Sequence, residues 1–199
     1  MKVSESARRP YRQRSRAEQA AANTQAIVEA AEALFSEHLY DQVTLADVAA
    51  RAGVGLQTLI RRFPTKPDLV AGVGEVVRKQ IRAQREAAPV GDVEGIVINL
   101  AEHYEERGDR VLKLLAQEER IEPFRRATEA GRQLHREWTE MVFAPQLASA
   151  PDRELRTVQL LALCDVYVWK VMCRDQGLTR RQYELALREM INRLLQGEP

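Results

Sequence analysis

The sequence predicts an all-α chain with a small N-terminal three-helix module and a larger C-terminal helical bundle that dimerises. Three observations carry this reading. Apolar residues recur at spacings of three and four along most of the chain, the period of helices that bury one face. No alternating Val/Ile/Thr runs bounded by hairpin turns are present, so strands are not expected. Charge is uneven although the net charge is +1. Residues 1–85 hold 14 Lys+Arg against 9 Asp+Glu, a net of +5, and residues 86–199 hold 16 against 20, a net of −4. Only the front half is therefore suited to a polyanion.

The elements follow in order, about nine predicted helices with no internal repeat. Residues 1–14 are basic and lack apolar periodicity, which reads as a flexible arm. Predicted helix 1 opens at Ser15, where Ser15 and Glu18 fit a capping box, and runs to Glu37 over Ile27, Ala31, Leu34 and Phe35. Predicted helix 2 follows Thr44, again boxed with Asp47. Predicted helix 3 covers Leu56 to Phe63. Predicted helix 4 starts between Lys66 and Asp68, with Pro67 tolerated in its first turn, and ends near Arg85. The segment AAPVGD at 87–92 breaks the pattern and reads as a junction. Further helices are expected over 92–106, 109–117, 122–147, 152–175 and 179–195, punctuated by Gly108, Pro151 and Gly177. The division is thus an arm (1–14), a three-helix N-terminal domain (15–66) and a C-terminal domain (67–199).

Predicted helices 2 and 3 are short and two-sided. At ~100° per residue, Leu56, Leu59, Ile60 and Phe63 share one arc, and Gln57, Thr58, Arg61 and Arg62 fill the opposite side. Leu45, Val48, Ala49 and Ala52 share a face of helix 2, and Gly53 stands where a helix end favours a left-handed residue. Two such helices joined by a Gly-containing turn make a helix-turn-helix pattern (about 44–63). Its second helix carries the residue types that read a major groove: Gln for adenine, Arg for guanine, Thr for a thymine methyl or a phosphate. Lys66 and the start of helix 4 add charge and backbone N–H groups, suited to clamping a phosphate. In the arm, Arg8, Arg9, Arg12, Arg14 and Arg16 can lie in a minor groove or along phosphates, or serve only as a soluble tail.

The stretch TLADVAARAGVGLQTLIRRFPTKPDL, with AIVEAAEALF before it, resembles the DNA-binding domain of the TetR family of transcriptional regulators. The resemblance spans Gln25 to Val70, about a quarter of the chain. It implies DNA contact by Thr44, by Gly55, Gln57, Thr58, Arg61 and Arg62 on the outer face of helix 3, and by Lys66. Two positions depart from the family pattern. Gly55 stands where Ser is frequent, and Ile60 stands where a phosphate-binding Tyr is frequent, so Arg61 or Arg62 would have to supply that contact. The resemblance also implies a homodimer through the last two helices and a ligand held among the C-terminal helices.

In the rear domain, the 152–175 segment is apolar almost all round, with a polar stripe of Arg156, Gln159, Lys170 and Arg174. A helix packed on one core needs only one apolar face, so this one is expected to be covered on two sides. The predicted dimer face takes Tyr167, Val168, Val171, Tyr183, Leu187, Met190, Ile191 and Leu194 into a four-helix bundle across a two-fold axis. Asp165 falls among apolar neighbours and needs a partner: an Arg across the core or the dimer interface, or a ligand. Leu100, His103, Tyr104, Phe124, Leu134, Trp138, Met141, Asp165 and Trp169 are the candidate lining of an effector pocket, with ordinary core packing as the alternative for each.

Other chemistry finds no support in the sequence. Cys164 and Cys173 are too far apart along one helix to pair, the three histidines are scattered, and no metal-ligand spacing, GxSxG or Walker loop occurs. The expectation is a non-enzymatic, cofactor-free and metal-free protein. It has no secretory signal and no apolar run long enough to span a membrane, and is placed in the cytoplasm. It would act as a repressor that binds a near-palindromic operator as a homodimer and is released by a small-molecule effector of unknown identity. The alternatives are a DNA-binding regulator without such a ligand, or an all-helical adaptor.

Overall fold

A computed structural model describes residues 8–196, with side chains from residue 17 onward. Among these residues every regular element is helical. The chain divides into two packed units, one ending at Val76 and the other starting at Val77, and the division falls inside a helix.

The first unit contains α1 (Arg8–Glu37), a 3-10 turn (Tyr40–Gln42), α2 (Leu45–Arg51), α3 (Leu56–Arg62) and the first half of α4 (Lys66–Glu86). Helix α1 starts seven residues before Ser15, so Ser15 is an interior position rather than a cap. The physical reason is composition. Arg, Gln, Ala and Glu propagate a helix well, and Pro10 falls in the first turn, where its missing N–H is harmless. Part of the expected arm, residues 1–7, and the side chains of Arg8, Arg9, Arg12, Arg14 and Arg16 lie outside what the structure describes.

The two helix ends between α2 and α3 are set by local chemistry. Thr44 caps α2: its Oγ1 accepts from the Asp47 N–H at 3.2 Å, and the Asp47 carboxylate accepts from the Thr44 N–H at 2.8 Å. Gly53 takes φ +66°, while the Val54 N–H donates to Ala49 O and the Gly53 N–H to Ala50 O. Both bonds of a Schellman motif are therefore present, and a side chain at 53 would be strained. The core beneath is Ile27, Ala31, Leu34 and Phe35 of α1, Val48 and Ala49 of α2, Leu59 and Phe63. Leu56 departs from the expected inner face, since 40% of it is exposed. A seven-residue helix makes fewer than two turns, and only its later residues reach the core. Gly72 on α4 admits the Phe63 ring, whose Cε1 would lie 2.3 Å from a Cβ there.

The second unit contains the end of α4, α5 (Val93–Leu115), α6 (Glu122–Val142), α7 (Ala144–Ala148), α8 (Arg153–Leu163), α9 (Val166–Trp169), a π-helical segment (Lys170–Asp175) and α10 (Arg180–Gln196). Residues 87–92 are not a junction between units but a turn within this one. Gly91 donates to Val142 O at 2.7 Å and accepts from Gln146 at 2.8 Å.

Four predicted helices change their limits. The segments 92–106 and 109–117 are one helix, α5, because Gly108 does not end it. Gly108 is there for packing: a Cβ would stand 2.4 Å from Cζ3 of Trp169. Gly108→Ala is therefore expected to destabilise the protein. Overpacking a core costs about 1–3 kcal/mol, against a gain of about 1 kcal/mol for removing a helical glycine. Denaturant titration checks it, and Trp169→Phe should relieve most of the loss; a Gly108→Ala protein as stable as the parent would refute the packing role. The 122–147 segment breaks at Phe143, ahead of Pro145. The 152–175 segment breaks at Cys164–Asp165 and then runs on with π geometry. Asp165 has extended backbone, and its carboxylate caps α9 by accepting from the Tyr167 N–H at 2.8 Å. It therefore has neither the buried position nor the Arg partner that a continuous helix implied.

The core of this unit gathers Ile96, Val97, Leu100 and Tyr104 of α5, Trp138 and Val142 of α6, Leu160 of α8, Trp169 of α9, and Tyr183, Leu187 and Ile191 of α10.

Candidate functional site

Helix α3 is held by its buried side and offers the other. Leu59 is fully covered and Phe63 is buried, while Gly55, Gln57, Arg61 and Arg62 are exposed and Thr58 is half-buried. Neither Arg61 nor Arg62 meets a carboxylate among the described residues, unlike Arg51, which forms a two-pronged pair with Glu37 at 2.5 and 2.8 Å. Two guanidinium groups clear of carboxylates and an amide, on a short, exposed, two-sided helix, match the demands of major-groove reading.

Two predicted contact residues turn out to have structural duties. The Thr44 hydroxyl donates to Asp47 at 2.6 Å as well as accepting from its N–H. That pairing also holds the Asp47 carboxyl below the usual carboxylate range. Lys66 Nζ donates to the carbonyls of Tyr40 at 2.9 Å and Val43 at 2.8 Å, and lies 4.2 Å from the centre of the Tyr40 ring. An ammonium has three donors, so one remains for another acceptor. The start of α4 is also a second capping box that the sequence reading overlooked. Thr65 N–H and Oγ1 donate to the Asp68 carboxylate, and Asp68 N–H donates to Thr65 Oγ1. Pro67 has no N–H, so this terminus is a weaker phosphate clamp than expected.

In the second unit, the candidate pocket residues Leu100, Tyr104, Trp138 and Trp169 pack in one cluster, with Met141 against it. His103 is buried beside Tyr104, their ring centres 5.3 Å apart. Phe124 and Leu134 are buried but belong to no part of that cluster, and Asp165 lies at the edge of a groove between α6 and α8.

The sequence reading missed the residue at the centre. Arg85, near the end of α4, is only 4% exposed. Its guanidinium carbon lies 4.2 Å from the centre of the Trp138 ring and 5.7 Å from that of Tyr104. Its Nη2 is 3.5 Å from His135 Nδ1. A guanidinium only donates, so Nδ1 must be the acceptor and the ring proton sits on Nε2. Trp138 Nε1 donates to the Arg85 carbonyl at 3.0 Å, and the Tyr104 hydroxyl donates at 2.7 Å to the Cys164 carbonyl freed by the break between α8 and α9. Burial, reinforced by Arg85, lowers the pKa of His103 to about 2 and that of His135 to about 3, so both rings are neutral. Burial pushes the Cys164 thiol up to about 12 and the Tyr104 and Tyr183 hydroxyls upward as well. A signal was available in the sequence: Val77, Ile81, Arg85 and Ala88 follow helical spacing, and the arginine stands where the stripe calls for an apolar residue.

The predicted dimer face needs correction. Tyr183, Leu187 and Ile191 are fully buried in the chain's own core and cannot face a second copy. Val168 and Leu194 are half-buried. Tyr167, Val171 and Met190 are exposed, as are Leu155, Val158 and Leu185, which the sequence reading left out of that face.

Comparison with known proteins agrees with this architecture. The fold and the exposed α3 define a helix-turn-helix protein. Residues 27–73 match the family model of the bacterial regulatory proteins, tetR family. The chain resembles a protein of Pseudomonas aeruginosa PAO1 assigned as a transcriptional regulator, with TM-score 0.68 and 20% identity over 87% of this chain and 90% of that one. It resembles SmeT in its triclosan complex, with TM-score 0.65 and 18% identity over 85% and 90%. It also resembles the TetR family transcriptional regulator PfmR from Thermus thermophilus, with TM-score 0.61 and 20% identity over 87% and 98%. No curated protein matches the chain. Residues 27–73 of the first unit thus match the tetR-family model, and the chain as a whole shares the fold of these solved transcriptional regulators.

Proposed function

We propose that the protein is a homodimeric, cytoplasmic transcriptional repressor that occupies a near-palindromic operator and is released by a small-molecule effector. The observation that carries the reading is the exposed outer face of α3, where Gln57, Arg61 and Arg62 stand clear of any carboxylate among the described residues, on a helix fixed by Leu59, Phe63 and the Gly53 turn. In this reading Gln57, Arg61 and Arg62 contact DNA, Gly55 and Thr58 lie against the backbone, and Thr44 and Lys66 hold the turns that present them. Dimerisation is supported by the placement of exposed apolar side chains. Six of the ten large ones among the described residues fall between Leu155 and Met190, on the segments expected to meet a second copy. A two-fold pair of recognition helices reads two half-sites. Because the effector acts only through its different affinity for the two states, the reading assigns it to the second unit, coupled to the reading helix through α4.

Electrophoretic mobility shifts on the DNA flanking the gene, repeated at several salt concentrations and paired with a solution mass, test the reading. Sequence-selective, salt-dependent binding by a two-chain species is expected; its absence would sink the proposal. Arg61→Ala and Arg62→Ala should each weaken binding. Loss of a base-reading arginine should cost about 1–3 kcal/mol and relax preference at one position, whereas loss of a phosphate contact should weaken all sites evenly and lower the salt slope by about one. Unchanged binding in both variants would refute the assignment of α3.

A further inference from the structure

We propose that the second unit binds a small organic carboxylate, with Arg85 as its counter-charge and the groove between α6 and α8 as the seat of its apolar body. This rests on the effector reading above and gives that effector a chemical class.

Arg85 is a buried cation without an anion among the described residues. The groups that act on it are Tyr104, Cys164, Tyr183 and the two neutral histidines, and no carboxylate is among them. Its Nη1 is buried with no hydrogen-bond partner. Removing a charge from water costs several kcal/mol after relaxation, so a folded core retains an unpaired one where something else supplies the opposite charge. Its contact with His135 Nδ1 is at the long limit of a hydrogen bond at 3.5 Å, and its other polar neighbour is the neutral hydroxyl of Tyr104. The guanidinium fork is better matched by the two oxygens of a carboxylate.

His135 is also the route. The same side chain lines a groove of about 490 Å³ with Leu161, Ala162 and Asp165, within the usual size of ligand sites. Two arginines and two carboxylates line it as well: Arg132, paired with Glu118, Arg136, paired with Glu140 and Glu154, and Glu129 and Asp165. A carboxylate carried in from that side takes the place of the His135 ring at Arg85. One positive charge between two neutral imidazoles calls for a monoanion, since a dianion would leave a buried charge unmatched. The flat faces of Trp138 and Tyr104 beside Arg85 favour an aromatic or alkyl body. The backbone around the site is irregular, with the break at Cys164–Asp165 and the π-helical turn after Trp169, a geometry that gathers at functional sites.

The test is thermal shift together with tryptophan fluorescence, read from Trp138 and Trp169, on the full-length protein without DNA. Benzoate, phenylacetate and octanoate are compared with benzamide, phenylacetamide and octanamide. At least one acid should bind at least tenfold more tightly than its amide. Arg85→Met should remove that preference, and Arg85→Lys should retain part of it. Equal binding of acids and amides, unchanged acid binding by the Arg85→Met protein, or no acid acting on the wild type would each overturn the proposal; the acid–amide comparison on the wild type stands even where a variant fails to fold. Repeating the titration with bound operator separates the two readings. Acid binding that never releases DNA defeats the effector reading and leaves the site standing. Release by an amide, equal in wild type and the Arg85→Met variant, does the reverse.

Discussion

Lowering the pH from 7.5 to 5 is expected to destabilise the protein by up to about 4 kcal/mol, through two histidines. The pKa of His103 is lowered to about 2 and that of His135 to about 3, in both cases by burial first and by the Arg85 charge second, with Arg107 adding to the effect at His103. In the unfolded chain both titrate near 6.5. Between those values the unfolded state binds protons that the folded state refuses, so stability rises with pH across the window from about 3 to 6.5 and falls as the pH drops through it. Each group contributes about 2 kcal/mol between pH 7.5 and 5. The carboxylates whose pKa values are lowered, Asp47, Asp109, Glu118, Glu122 and Glu137, act in the same direction but at lower pH, and all are near the surface. Urea titrations in steps from pH 7.5 to 5 should show the fall, and His103→Gln and His135→Gln should each remove about half of it. A flat profile above pH 5.5 would mean that these rings are not buried as neutral species.

How much of this was legible in the sequence depends on the range of the interaction involved. The caps at Thr44 and Gly53 were readable because each is decided within four residues, by a hydroxyl facing an amide or by a backbone angle that only glycine takes without strain. The recognition helix was readable because its two faces differ in chemistry. Gly108 was misread as a stop because its reason lies at Trp169, sixty-one positions away, where a ring occupies the space of a side chain. The break at Cys164 was hidden because apolar residues continue on both sides of it. What ends the helix is the Asp165 cap and the Tyr104 hydroxyl arriving from α5. A helical wheel shows which side of α10 is apolar but not what covers it, and Tyr183, Leu187 and Ile191 are covered by their own chain. Arg85 was overlooked for the simplest reason: an arginine in a charged stretch such as RAQRE looks like surface until its neighbours are known.

Arg85→Met is expected to make the protein more stable, by about 1–4 kcal/mol, the range found when buried charges give way to apolar residues of similar volume. The guanidinium gives up water almost completely, being 4% exposed. In return it receives no carboxylate, one long bond to a neutral imidazole, the neutral Tyr104 hydroxyl as a polar neighbour, and the face of Trp138 at 4.2 Å. A desolvated cation–π contact is worth about 2 kcal/mol, short of the several kcal/mol that desolvation removes. A methionine reaches the same ring and recovers about 0.3–1.5 kcal/mol from sulfur–aromatic contact. The bond from Trp138 Nε1 to the Arg85 carbonyl is a backbone contact and survives the change. The same substitution also frees His103 and His135 from a positive neighbour, so their pKa values should rise toward 6.5 and the acid sensitivity should shrink with it. Thermal and urea unfolding at pH 7.5 measure the gain. A variant less stable than the parent would mean that the aromatic cage compensates the charge in full and that Arg85 is a structural residue. A more stable variant that has lost carboxylate binding would show the opposite trade, a charge kept in the core at the expense of stability because the site needs it.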